Sequence, residues 1–235
     1  MYSIRFLALP VAVAATFAAC SEQEPSLREQ VVEHSDEFRE NYGCDIPITV
    51  KIGHIVMDSP YSSGVVLGRG ESGWIKIDPD IETIEEIIPG AIENSAIHET
   101  SHACNIGRRL LNSPFELPSG ITMTATEGFR AHGYNNSTGE QLGFMFIEES
   151  VAALFARDMT EVKNTNIGVE SGADLVQEML DSSGLSLQEL QDMQENSDLL
   201  GFMARANSID VSELTIDNIQ QIINLFSSRF DEIES

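Results

Sequence analysis

Residues 98–102 read His98-Glu99-Thr100-Ser101-His102, and this spacing constrains the chain more than any other feature. On an α-helix, positions four apart lie one above the other on one face. Two imidazoles so placed can grip one divalent cation from the same side. Glu99, one position along, reaches a water that such an ion polarises and accepts its proton. The pattern therefore calls for a helix at the floor of a cleft. Its surroundings agree: Ala96, Ile97, Ala103 and Cys104 flank the motif and Thr100 and Ser101 fill it, all uncharged. In a chain with 38 acidic residues, a solvated helix face would carry more charge there.

A catalytic zinc keeps three protein ligands and one open position. The metzincin extension would need glycine at 105 and histidine at 108, where Asn105 and Arg108 stand. The inverted order H-x-x-E-H is also absent. A carboxylate on a later helix is left, and residues 147–156 supply two, Glu148 and Glu149. Ile147, Val151, Leu154 and Phe155 recur at helical spacing, so one side of this segment faces a core. Ser150, Ala152, Ala153 and Ala156 are small and let a second helix come close. Acids at a helix start are also favoured by the helix dipole alone. Periodicity does not separate Glu148 from Glu149.

H-E-x-x-H followed by a helix of the form Glu-small-apolar-Ala resembles the gluzincins, the thermolysin-like and aminopeptidase-like zinc peptidases. In that family the second helix reads Asn-Glu-Gly/Ala, and its Glu is the third ligand. Matched residue by residue, that Glu falls on Glu149, and Glu148 takes the usual Asn position. The resemblance covers residues 91–107 and 144–156. It implies a zinc ion held by His98, His102 and Glu149, with Glu99 as general base. It implies an α+β, zincin-like fold, in which a small N-terminal sheet and the metal helix precede a mostly helical C-terminal part. Many gluzincins place an acid four positions after the ligand to orient a histidine; Ala153 stands there, so that partner must come from elsewhere. Many zincins also use a Tyr or His to steady the developing oxyanion, and Tyr134 is the candidate here, with His132 nearby.

The N-terminus reads as a targeting segment. Arg5 gives the positive charge, and residues 6–19 are apolar apart from Pro10 and Thr16, too short to span a bilayer. Phe17-Ala18-Ala19-Cys20 resembles a bacterial lipobox, which implies lipidation of Cys20; ordinary signal cleavage nearby is the alternative. The expected organisation is a leader over 1–19, a polar tether over 20–25, a catalytic core over 26–160 and a helical subdomain over 161–235. The protein is then exported and lipid-anchored to a bacterial membrane. Cleavage after Ala19 removes Arg5 and no acid, so the formal charge of −25 becomes about −26. Such a surface repels nucleic acid and anionic bilayers. The gluzincin resemblance implies a peptide or protein substrate, and membrane contact is expected through the N-terminal lipid only. Cys44 and Cys104 either form one disulfide or stay as two buried thiols.

Several elements are legible. Ser26-Leu27-Arg28-Glu29 is a capping box opening a helix to Tyr42, with Val31, Val32 and Phe38 on its apolar side. Residues 46–54, 64–67 and 74–77 read as strands, and Trp74-Ile75-Lys76-Ile77 is either an ordinary core strand or the candidate edge for pairing with extended substrate. The metal helix spans 91–106. Residues 107–143, rich in Gly, Pro, Ser and Thr, read as a connecting cleft wall. Ser186-Leu187-Gln188-Glu189 is a second capping box, and Ile219, Ile222, Ile223 and Phe226 mark a last helix.

The expected function is zinc-dependent peptide-bond hydrolysis. A non-catalytic zincin-fold lipoprotein that binds a partner is the alternative, and the intact Glu99 speaks against it. Peptide deformylase, another H-E-x-x-H enzyme, uses a cysteine ligand, for which Cys44 would serve. Its glycine-rich segment is missing here, and an export signal conflicts with its cytoplasmic role.

Overall fold

Ser26 opens the first helix, α1 (Leu27–Tyr42), as its capping box predicts. The Ser26 hydroxyl accepts from the Glu29 N–H, the Glu29 carboxylate accepts the Ser26 N–H, and Gly43 closes the last turn. Val31 and Phe38 carry the buried face, whereas Val32 turns outward. The computed structural model describes residues 24–55, 64–66, 73–105, 115–116, 120–139, 141–164 and 166–231. The leader, Cys20, Leu67 and Gly107 lie outside these residues. Among them, no helix is long and apolar enough to cross a membrane.

The described chain is α+β and mostly helical. Strands β1 (Ile48–Ile52), β2 (Gly64–Val66) and β3 (Gly73–Ile77) form one sheet in the order β1-β3-β2. β1 runs parallel to β3 and β2 antiparallel to it. The segment Trp74–Ile77, the candidate edge, is thus central. The reason is packing: Ile75 and Ile77 are fully buried, and a strand sunk into the core is bonded on both sides. The free edges belong to β1 and β2. On the other face of β3, the Lys51 ammonium lies 3.9 Å over the Trp74 ring.

A short helix, α2 (Ile81–Glu85), precedes α3 (Ala91–Asn105), which bears the H-E-x-x-H motif. The Glu85 carboxylate accepts the N–H groups of Gly90 and Ile92, both at 2.7 Å. These are donors that a helix start leaves without internal partners, and a negative charge suits the positive end of the dipole. Every residue of α3 except Glu93 and Ser95 is buried. The helix separates two apolar clusters. Ala96 and Ala103 face the smaller one, with Leu27, Val31, Val50, Ile75 and Ile77. Ile97 and Cys104 face the larger one. Gly73 lets β3 pass close by, since a Cβ there would sit 3.2 Å from both the Ala103 Cβ and its carbonyl oxygen.

Residues 107–143 depart from the expected loop. Their described part holds a four-stranded antiparallel sheet, β4 (Phe115–Glu116), β5 (Ile121–Glu127), β6 (Arg130–Asn135) and β7 (Gln141–Gly143), in sequential order. A signal was present: Ile121, Met123 and Ala125 alternate with Thr122, Thr124 and Thr126. That is the period of a strand, and threonine is a strand former.

The remaining helices are α4 (Met145–Thr160), α5 (Ile167–Ser183), α6 (Leu187–Glu195), α7 (Leu199–Ala206) and α8 (Ile216–Asp231). α4 packs on α3 on one side and on α5 on the other, and α5 packs on α7 and α8. Ser150, Ala152, Ala153 and Ala156 are buried, as a close helix approach requires. The Asn94 side chain at the start of α3 donates to the Val162 carbonyl just past α4, so the two helices run antiparallel. The larger cluster is continuous from Phe38 through Phe155 to Phe226, so residues on either side of 160 share one core. Cys44 and Cys104 form a disulfide that ties the end of α3 to the segment between α1 and β1.

Candidate metal centre

The spacing of the motif produces the geometry it predicts. On α3 the His98 and His102 rings stand edge to face with centroids 4.9 Å apart, and their Nε2 atoms are 3.2 Å apart. Because α4 is antiparallel to α3, its first turns reach the same point. Glu149 Oε2 lies 3.3 Å from His98 Nε2 and 3.4 Å from His102 Nε2. Three donor atoms from two helices thus form a nearly equilateral triangle.

The size of that triangle is informative. An ion held at about 2.0–2.1 Å from tetrahedral donors separates them by about 3.3–3.4 Å. The observed edges of 3.2, 3.3 and 3.4 Å fit that figure. Two imidazole nitrogens and one carboxylate oxygen are donors of the kind divalent metal ions take. These residues could hold a divalent cation. Two other groups, His34 with Glu37 and Glu93, and His54 with Asp78 and Asp80, also bring His and acidic atoms together. The first is looser, with His34 Nδ1 3.7 and 3.9 Å from its acids. In the second, the His54 side chain is 74% exposed and Asp78 is taken up by the Ile55 and Asp80 N–H groups.

The environment is strongly polarised. His98, Glu99 and His102 are buried, and Glu149 is the most open of the three donors, its side chain 29% exposed. Burial alone would lower the His102 pKa. The Glu149 charge, with hydrogen bonds to Glu148 and Glu149, overrides it and pushes the imidazole up to about 10. Burial likewise works to raise Glu149, and the His102 charge wins, holding this carboxyl well below its ordinary range.

Glu148 points elsewhere. Its Oε1 lies 3.3 Å from His102 Nδ1, on the ring edge away from the triangle, and its Oε2 accepts the Phe129 N–H at 2.8 Å. The adjacent glutamates are thus separated by geometry, Glu149 toward the shared point and Glu148 behind His102. Sequence reasoning missed the second contact, because Phe129 lies in a turn of the unexpected sheet. Tyr134 sits on β6 opposite Thr122 and Gln141 and is 43% exposed. Among the described residues it makes no hydrogen bond to the two histidines. Cys44 has no free thiol for a metal, since it is bonded to Cys104.

No family model, no curated protein and no solved structure matches the chain.

Proposed function

We propose that this chain is a zinc-dependent peptidase of the gluzincin type, exported and anchored through a lipid on Cys20. The observation that carries this reading is the triangle of His98 Nε2, His102 Nε2 and Glu149 Oε2, with edges of 3.2–3.4 Å, built on the helix that also bears Glu99. His98, His102 and Glu149 would hold the ion. When bound, zinc lowers the pKa of a water to about 7 and polarises a carbonyl.

The chain's own residues supply the rest. A Glu99 carboxylate oxygen accepts a proton from the attacking water and later delivers it to the leaving amine nitrogen. The buried body of α3 keeps bulk water from the back of the site. Tyr134 is the proposed donor to the carbonyl oxygen as that atom gathers negative charge. The Cys44–Cys104 bridge supports export, since disulfides persist in oxidising compartments. The substrate class is a peptide or protein.

The test is metal analysis of the purified mature chain beside a peptide-library digest. Zinc near one per chain is expected, and His98→Ala should abolish it. Glu99→Gln should keep the zinc and lose at least about a hundredfold in cleavage. A wild-type chain without zinc, or a fully active Glu99→Gln, removes the proposal.

A further inference from the structure

The Glu148 carboxylate is 1% exposed, and each of its oxygens meets a different donor. Phe129, which gives one of them, belongs to the two-residue turn Gly128-Phe129 between β5 and β6. That turn closes tightly over the carboxylate. Gly128 has φ +55°, and a Cβ there would lie 3.1 Å from both Glu148 oxygens and from the Asn105 Cβ. The Phe129 ring is fully buried and stacks on Phe202 with centroids 5.3 Å apart, so the turn is itself anchored.

Resting on the metal-centre reading, we propose that Glu148 is a positioning residue that fixes the tautomer of His102 and ties that ring to the β5–β6 turn. A carboxylate can only accept, so the hydrogen at 3.3 Å from Glu148 must sit on His102 Nδ1. Once a cation displaces the second ring proton, the neutral imidazole keeps one N–H at Nδ1, which leaves the lone pair on Nε2, the atom that faces His98 and Glu149. A carboxylate behind a ligating histidine also makes the ring a stronger donor. His98 gives the contrast. Its Nδ1 is buried and has no hydrogen-bond partner among the described residues. Among the described residues His98 is thus bonded only at Nε2, whereas His102 is also held from behind at Nδ1. Orientation of the His102 ring falls to Glu148, and one turn of α4 supplies both the ligand and the group that aims His102.

The test is zinc affinity of the mature chain, measured by competition with a chromogenic chelator, for wild type, Glu148→Ala and Glu148→Gln. Glu148→Ala should bind zinc about 10- to 100-fold more weakly, as loss of such a partner does elsewhere. Glu148→Gln keeps an acceptor for His102 and should recover most of that loss. Nitrogen-15 NMR of the zinc-loaded wild type should find the His102 proton on Nδ1, a readout that needs no variant to fold. A folded Glu148→Ala chain with wild-type zinc affinity, or zinc carried on His102 Nδ1, overturns the proposal. If Glu148 only pins the turn, Glu148→Ala will speed exchange of the Phe129 amide and leave the affinity unmoved. A wild type that binds no zinc sinks the metal-centre reading as well, so the two failures are distinct.

Discussion

At His102 burial and charge pull in opposite directions, and charge wins. The consequence is a pH dependence with a definite sign. The folded imidazole titrates near 10 against an ordinary value of 6.5, so in the metal-free protein its stabilising contribution is complete below 6.5 and fades as pH rises toward 10. Glu149 is depressed below its ordinary 4.5, so its contribution is present above that pH and lost in acid. On the proposed zinc site, the ion and this proton compete for one place. Loading the metal-free chain with zinc at pH 7 should therefore release protons, and affinity should climb with pH. Calorimetry in two buffers of different ionisation enthalpy measures the release, and a buffer-independent heat would refute it. The histidine pair was legible because four-residue spacing on a helix is local geometry. Glu149 was reached only through resemblance, since its contact spans 51 residues of chain. The place of Glu148 was hidden, because it depends on a turn in a sheet that the sequence reading did not contain.

At the scale of elements, the legible ones carry their own instructions. Ser26 with Glu29 and Ser186 with Glu189 satisfy each other's backbone groups within four residues, and both helices begin where the capping boxes place them. The β5–β6 pair was missed because the alternation of Ile121, Met123 and Ala125 with threonine is short and lies in a stretch otherwise full of turn formers. Strand order was hidden for another reason: the central place of β3 is set by pairing with β1, some 25 residues away in register. The disulfide joins elements that nothing local connects. It closes a loop with a sequence separation of 60, which on a chain-entropy model is worth about 4 kcal/mol. Replacing both cysteines with serine should lower unfolding stability by up to that amount in a denaturant titration. An unchanged midpoint would show that the bridge does not constrain the unfolded chain.

For the whole molecule, the decisive fact is the unbroken apolar cluster. Phe155 on α4 packs its ring against Phe38 and Tyr42 of α1, with centroids 5.9 and 4.8 Å away, while α5, packed on α4, adds Val169, Ala173 and Val176 to the same cluster. The helices after residue 160 thus complete the core that supports His98, His102 and Glu149. Unfolding should be one cooperative transition, with fluorescence and circular dichroism coincident. Phe155→Ala should cost about 3–5 kcal/mol. A chain ended at 160 should fail to fold, and a native-like spectrum from it would contradict a shared core.

The clamps on α3 have a final implication. Glu85 grips its first amides and the Cys44–Cys104 bridge grips its last residues, so the rod carrying His98, Glu99 and His102 is pinned at both tips. A pinned rod can neither spin nor slide. One added or deleted residue between the pins would rotate the imidazoles by about 100° relative to Glu149. Length between Glu85 and Cys104 is therefore under stricter constraint than the identity of most residues within it.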